Sequence, residues 1–515
     1  MVPFAAPVDD ILFSLRKVAD VDRLPDWDDE LAEGVITHFA SFAEGVIAPL
    51  DESGDAQGCR LENGRVRMPD GFGDAYSQLA EGGWQGLTAP EQFGGMQADH
   101  VTAACVSEIF SGANHSMQMV CNLVPGAIST LMRFGTEDQK SAYIPPLAEG
   151  RWLATMCLTE PGAGSDLGRV RTKAVQDGDH YKITGEKIFI SGGDQDMSEG
   201  IFHLVLARTG AMEDGVKGLS LFLCLSENDG IRNDIAVTRI EEKLGLHASP
   251  TCQMSFDGAR AELVGAEGQG LMAMFTMMNH ARIDVSLQGV AHASRAYQVA
   301  STYAADRTQG RKSDGSPAVL SDHPDVRRML DEQRMLALGA RAMVHVAMVE
   351  MDLDARPALV DFLTPVCKVF CTDAGTRSAD LGMQILGGYG YLTEYRVSQT
   401  WRDARICSIY EGANGIHDLT IATRGLKLPG AADGFDDLIG ELTDDAVVLA
   451  IRDTWRAMRA EVAASETPAE MAYDFARLTG ELYFRAVWAK MAKVGDDEMQ
   501  RLFARVQRRP LPVLV

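Results

Sequence analysis

Runs rich in β-forming residues are confined to residues 153–265 of this chain, and helical periodicity fills it on either side. Helices, then strands, then helices: that order excludes a doubly wound parallel sheet, in which the two kinds of element alternate. The β-rich runs, Tyr181–Gly185, Lys187–Ile190, Phe202–Ala207 and Leu219–Cys224, are separated by short turns containing Gly and Asp. They predict an antiparallel sandwich or barrel. Residues 1–152 read as helical. Leu31, Val35, Phe39, Phe42 and Val46 recur at three- and four-residue steps behind the acidic turn Asp28–Glu30, and Pro49 ends the run. Further helices are expected over 74–81 and from 100 to 110. Residues 266–428 predict a bundle of long helices, over 281–307, 323–351 and 365–381.

Beyond it, 429–515 predict a helical extension. In it Thr467-Pro468-Ala469-Glu470 reads as a capping box, and Met471, Phe475, Leu478 and Leu482 form one apolar stripe, with Trp455 and Trp488 adding bulk. That stripe is expected to complete a subunit interface; packing on its own subunit is the alternative. The fold class is therefore α+β.

Charge and cysteine usage narrow the function. The chain has 515 residues, with 48 Lys and Arg against 73 Asp and Glu, a net charge of −25. A nucleic-acid binder needs clustered cations, so that class is excluded. No apolar run reaches the ~18 residues of a membrane helix, and the first residues lack the basic start of a secretory signal. None of the nine cysteines stands in a Cys-x-x-Cys pair. Free thiols in a reducing compartment are expected, with no metal site and a cytoplasmic location.

Two stretches carry chemistry. In Leu158-Thr159-Glu160-Pro161-Gly162-Ala163-Gly164-Ser165-Asp166, small residues admit backbone amides to a bulky anionic or planar ligand, and Ser165 adds a hydroxyl donor. A tight turn is the plain alternative; the Gly-Lys-Ser/Thr ending of a phosphate loop is absent. In Ile409-Tyr410-Glu411-Gly412-Ala413-Asn414-Gly415-Ile416, a carboxylate lies among apolar neighbours. Burial there would raise its pKa toward that of a general base, whereas a solvated loop would leave it ordinary.

With these stretches, an ordered series of motifs through residue 428 resembles the acyl-CoA dehydrogenase family, in its larger-subunit branch, which includes enzymes of 3-methylmercaptopropionyl-CoA. The series includes Gly58–Gly64, Ala89–Gly95, Gly135–Lys140, Lys187–Gly193, Lys243–Gly245, Asp306–Arg311, Gln384–Gly390, Arg402–Arg405 and Tyr410–Gly412. The resemblance implies the family's order: N-terminal helical domain (1–152), middle β domain (153–265), C-terminal helical bundle (266–428), here with the extension (429–515). It implies FAD between the strand domain and the bundle, with Met156, Leu158 and Thr159 at the flavin ring, and Gly164 and Ser165 near the pyrophosphate. Phe189 and Ser191 stand where smaller members carry Trp and Thr against the ring. Arg307, Gln309, Gln384, Gly387 and Gly388 match positions that reach the FAD of a neighbouring subunit, so a homo-oligomer, a dimer or dimer of dimers, is implied.

For the acyl-CoA substrate the resemblance points to Ser165, Asn279, Arg282, Tyr410 and Gly412. Glu411 is the implied base, since the alternative position before Arg282 is Ala281. The implied reaction is α,β-dehydrogenation to the trans-2-enoyl-CoA, with a hydride passing to flavin N5 and electrons onward to an electron-transfer flavoprotein. A short or thioether acyl chain is one expectation. An acyl-CoA oxidase, or a non-catalytic acyl-CoA-binding or assembly subunit on the same fold, are the alternatives. Met272, Met274, Met277 and Met278 either pack in the core or line an acyl pocket.

Overall fold

The computed structural model describes residues 2–228 and 230–511. They form two compact units. One, built from residues 45–99 and 114–281, carries the sheet. Its strands are β1 (Trp152–Cys157), β2 (Lys173–Asp177), β3 (His180–Ser191), β4 (Gly200–Arg208), β5 (Leu219–Leu225), β6 (Ile235–Ile240) and β7 (Thr251–Val264). The two runs around residue 186 are one continuous strand, β3. β7 pairs antiparallel with β3, β5 and β6, while β2 pairs with β3 and β5 with β4. A meeting of Lys173 with Arg208 closes the ring into a barrel.

Two pairings depart from the antiparallel expectation: that single meeting of β2 with β4 is parallel, and β1 runs parallel to β4, from Trp152 opposite Gly200 to Cys157 opposite Val205. The chain between these strands includes β2 and β3, long enough to return it to the same end of the sheet, which a tight turn cannot do. Ile183, Leu204, Leu206, Phe222 and Phe256 are all buried in this unit. Of the methionine cluster, Met274 and Met277 are buried in this unit, and only Met272 and Met278 keep exposed surface. The Gly135–Lys140 motif is structural. Thr136 and Gln139 form a reciprocal cap on helix Glu137–Ala148, and Gln139 Nε2 donates to the Leu263 carbonyl at 3.0 Å.

The second unit comprises the residues up to Glu44, His100–Ala113 and Arg282 onward. Its centre is the helix pair Pro324–Leu353 and Pro357–Leu386. Within it Arg341 and Glu108 are both fully buried and joined at 2.7 Å. A pair so enclosed is tolerated because each charge neutralises the other.

Helix Asp29–Phe42 starts where the acidic turn implied, with Asp28 accepting from the Leu31 amide at 3.0 Å. Its buried face, however, is Ala32, Ile36, Phe39 and Ala40, and Leu31 is 65% exposed. Large side chains suggested one stripe; the small alanines mark the true one, a residue further on.

The extension corrects two further expectations. Thr467–Glu470 form a turn, closed by the Glu470 amide on the Thr467 carbonyl, and the helix begins only at Ala472. Its stripe faces its own subunit: Phe475, Leu478, Leu482, Trp455 and Trp488 are all buried within one chain. Trp488 Nε1 donates to the Met335 carbonyl at 3.1 Å and the Tyr483 hydroxyl to that of Met343 at 2.8 Å. Gly339 makes the approach possible, since a Cβ there would lie 2.2 Å from Phe484 and 2.5 Å from Trp488. Residues reserved for a subunit interface are thus consumed inside the protomer. Among the described residues no helix is long and apolar enough to cross a membrane.

Candidate active site

Glu411 lies in the turn between helices Val397–Cys407 and Asn414–Thr420 of the helical unit. Its φ is 53° and that of Gly412 is 92°, two successive left-handed residues. For a residue with a side chain, such a conformation costs about 1–3 kcal/mol and persists only where surroundings enforce it. Two hydrogen bonds do so. His417 Nε2 donates to the Glu411 carbonyl at 3.0 Å, and Lys368 Nζ to the Gly412 carbonyl at 2.8 Å. Position 412 requires glycine on a second count, because a Cβ would stand 2.9 Å from His417 Nε2.

Burial pushes the Glu411 carboxyl up to about 7; Arg282 and Lys368 pull it down, and Asp284 adds to the rise. The residue still keeps part of its surface open, as a group that meets substrate must. Burial, helped by Lys368 and Arg282, takes His417 down to about 3. Its ring is therefore neutral, and the carbonyl acceptor places the proton on Nε2. Burial also brings Lys368 down to about 8. Tyr410 turns its hydroxyl to Gln288 Oε1, whose amide reaches Asp284 Oδ2 at 2.9 Å. Arg282 and Tyr410 thus lie in the electrostatic surroundings of Glu411. Asn279, an exposed residue on the same helix as Arg282, falls in the other compact unit.

In the sheet unit, the 158–166 segment leaves β1 and is held by an ion pair that sequence reasoning missed. Lys187, fully buried on β3, donates to Glu160 Oε1 and to the Leu158 carbonyl, both at 2.9 Å. Glu160 also accepts from the Arg171 and Thr172 amides at 2.7 and 3.0 Å. Burial alone would raise the Glu160 carboxyl, but Lys187 and the Arg171 amide outweigh it and hold it low. The Ile188 amide donates to the Thr159 carbonyl at 2.9 Å, so Leu158 and Thr159 lie beside β3. There Phe189, at φ 61°, is 60% exposed, and Ser191 and Met156 are half-buried. Gly164 and Ser165 lie open at the tip, and a Cβ on Gly162 or Gly164 would meet nothing within 4 Å.

A separate cavity of about 430 Å³ in the helical unit gathers Arg307, Gln309, Gly387 and Gly388, with Tyr303, Ile385 and Tyr389. Gln384 is exposed at the helix end but outside that lining. Arg307 stacks over the Tyr389 ring, 5.6 Å from its centroid. The Gln309 carbonyl accepts from His323 Nε2 at 2.8 Å, and a Cβ on Gly387 or Gly388 would meet no atom within 4 Å.

These sets fit FAD. A bare aromatic wall and hydroxyls suit a flavin ring, while an exposed guanidinium beside open glycines suits a pyrophosphate. Lys368, Asn414 and His417 around Glu411 went unread. The usable signal was a lysine inside the apolar run Val366-Cys367-Lys368-Val369-Phe370, where a buried cation must have partners.

Residues 32–151 match the acyl-CoA dehydrogenase N-terminal domain, 155–259 the middle domain and 268–426 the C-terminal domain. A 3-methylmercaptopropionyl-CoA dehydrogenase of Ruegeria pomeroyi is 44% identical over 438 residues, 80% of this chain and 74% of that protein. In fold, Caenorhabditis elegans ACDH-11, solved in complex with C11-CoA, superposes with a TM-score of 0.83 over 99% of this chain and 92% of its own, at 21% identity. An acyl-CoA dehydrogenase of Bacillus anthracis complexed with FAD gives 0.78 over 94% and 87%, at 22% identity. Open glycine cradles, a carboxylate poised near neutrality and this agreement along the chain have one explanation: the protein belongs to the acyl-CoA dehydrogenase family and is an FAD-dependent oxidoreductase of acyl-CoA thioesters.

Proposed function

We propose that Glu411 is the base that removes the α-proton of the acyl-CoA, and that the substrate is a short acyl chain such as the thioether 3-methylmercaptopropionyl-CoA. The observation that carries the first reading is the carboxyl held near 7 on an enforced left-handed turn. An α-proton is too weakly acidic for a carboxylate of ordinary strength, so desolvation of the base is part of the chemistry. Arg282 and Lys368 keep enough positive charge nearby for the carboxylate to form at neutral pH. FAD, when bound, supplies the acceptor for the hydride that leaves the β-carbon. Met156, Leu158, Thr159, Phe189 and Ser191 would hold its ring, with Gly164 and Ser165 near its pyrophosphate; Arg307, Gln309, Gln384, Gly387 and Gly388 would serve the FAD of a neighbouring subunit. Ser165, Asn279, Arg282, Tyr410 and Gly412 would contact the thioester. The 44% identity to an enzyme of a thioether substrate supports the second reading.

Glu411 must be ionised to act, so the limiting rate of anaerobic flavin bleaching is expected to rise about tenfold per pH unit below about 7 and level off above it. A rate independent of pH between 5.5 and 8 would remove Glu411 from that role. Running the same assay over a panel of acyl-CoAs, short thioether chains included, tests the substrate. Arg307→Ala is expected to lower the FAD retained after gel filtration several-fold, because the open cavity loses its cation; undiminished flavin would refute the assignment.

The finer readings follow. An electron-transfer flavoprotein takes the electrons, and peroxide formed in step with turnover would show an oxidase instead. The protein works as a dimer or dimer of dimers, which mass photometry measures. Domain boundaries fall at residues 152, 265 and 428. Nine cysteines, none in a disulfide, support a reducing compartment, the cytoplasm.

A further inference from the structure

We propose that Arg477, on the C-terminal extension, is a positioning residue for the Glu411 turn, bracing through Asp373 and Asp418 the side chains that hold the Glu411 and Gly412 carbonyls. The inference rests on the reading of Glu411 as the base. Arg477 is on helix Ala472–Val494, outside the 268–426 stretch that matches the family's C-terminal domain.

Two routes lead from its guanidinium to the turn. In the first, Nη1 donates to Asp373 Oδ2. Asp373 Oδ1 accepts from Asn414 Nδ2 at 3.0 Å, Asn414 Oδ1 accepts from Lys368 Nζ at 2.9 Å, and Lys368 donates to the Gly412 carbonyl at 2.8 Å. In the second, Nη2 stands 3.5 Å from Asp418 Oδ2. Asp418 directly follows His417, which holds the Glu411 carbonyl at 3.0 Å. One cation of the extension therefore spans helices Pro357–Leu386 and Asn414–Thr420, the two that present the turn's hydrogen-bond donors.

The geometry matters because residues 411 and 412 are both left-handed, at φ 53° and 92°, and a strained turn relaxes when its supports loosen. Asp418 is nearly buried, its side chain 5% exposed. Burial raises its carboxyl to about 6, with Arg477 pulling the other way. Without Arg477, Asp373 and Asp418 have one cation left within the network, Lys368. Drawing that ammonium toward them takes it from the Gly412 carbonyl. The base would then sample other orientations, which lowers the rate at saturating substrate and leaves thioester binding in place.

The test compares parent, Arg477→Ala, Arg477→Lys, Asp418→Asn and Glu411→Gln holoenzymes. Each is measured for FAD content, thermal midpoint, dissociation constant for butyryl-CoA or 3-methylmercaptopropionyl-CoA, and limiting rate of anaerobic flavin reduction. Arg477→Ala is expected to reduce that rate per bound flavin at least tenfold with the dissociation constant within twofold, and Arg477→Lys to recover at least a third of the parent rate. Asp418→Asn, which keeps the shape and removes the charge, is expected to show the same separation of rate from affinity; it decides the question if Arg477→Ala does not fold. A rate per bound flavin within twofold of the parent in the folded variants, or a loss that tracks only FAD content and thermal midpoint, would overturn the proposal. Full flavin reduction by Glu411→Gln would instead overturn the assignment of the base, an outcome read independently of Arg477.

Discussion

Glu411→Gln is expected to retain FAD and bind acyl-CoA with parent-like affinity while reducing its flavin roughly a thousandfold more slowly, the scale of a lost general base. Gln keeps the size and the left-handed backbone, so the His417 and Lys368 hydrogen bonds to the carbonyls of 411 and 412 persist. Only the proton acceptor is gone. The pH-dependent rise through about 7 should vanish with it, because the group that titrates there has been removed. Anaerobic stopped-flow bleaching measures both quantities. A variant that keeps a tenth or more of the parent rate would mean that another group takes the proton.

The second large effect is one of stability. Deleting residues 429–515 is expected to yield an insoluble chain rather than a smaller folded species. Phe435, Trp455, Phe475, Tyr483, Phe484 and Trp488 are all buried, and the last three pack on helices Pro324–Leu353 and Pro357–Leu386, including Gly339 and Phe370. Truncation would strip that pair of its cover. The graded version is Trp488→Ala, expected to cost about 3–5 kcal/mol for a fully enclosed aromatic side chain, with a further term for the lost indole hydrogen bond to the Met335 carbonyl. Chemical denaturation of the holoprotein measures it. A truncated protein that stays soluble with a cooperative melt would show that the extension is an appendage.

What could be read ahead of the structure was whatever repeats locally. The helix–strand–helix order follows from periodicity, and Glu411 and the 158–166 segment stand out by composition. What could not be read depends on partners distant in the chain. Leu31 looked like core and faces solvent because alanines on the neighbouring stripe let the helix approach closely, and a hydrophobicity pattern weights bulk over fit. The parallel pairing of β1 with β4 is decided by where the chain re-enters the sheet. Lys187 and Glu160 are 27 residues apart, and Lys368 is 44 from the carbonyl that it holds. The extension's stripe was legible as a stripe, but an amphipathic helix does not say whose surface it covers. Thr467–Glu470 had the residues of a helix start and makes a turn instead.

The helical unit also sets a timetable for synthesis. Its N-terminal part is pinned by residues that leave the ribosome late: Asp10 by Arg334 at 2.8 Å, Arg23 by Glu350 at 2.9 Å, and Asp20 by Lys490, 470 residues further on. At about 5–20 residues per second, Asp20 waits roughly half a minute to a minute and a half for its partner. The sheet unit is finished by Ala281, so it can close while the first helices are still without their counterparts. Buried residues of the opening helix, Ile11, Leu12 and Leu15, are meanwhile exposed. A nascent chain of this protein therefore carries an apolar segment for a holdase to grasp until helix Pro324–Leu353, which packs on helix Val8–Lys17, has emerged.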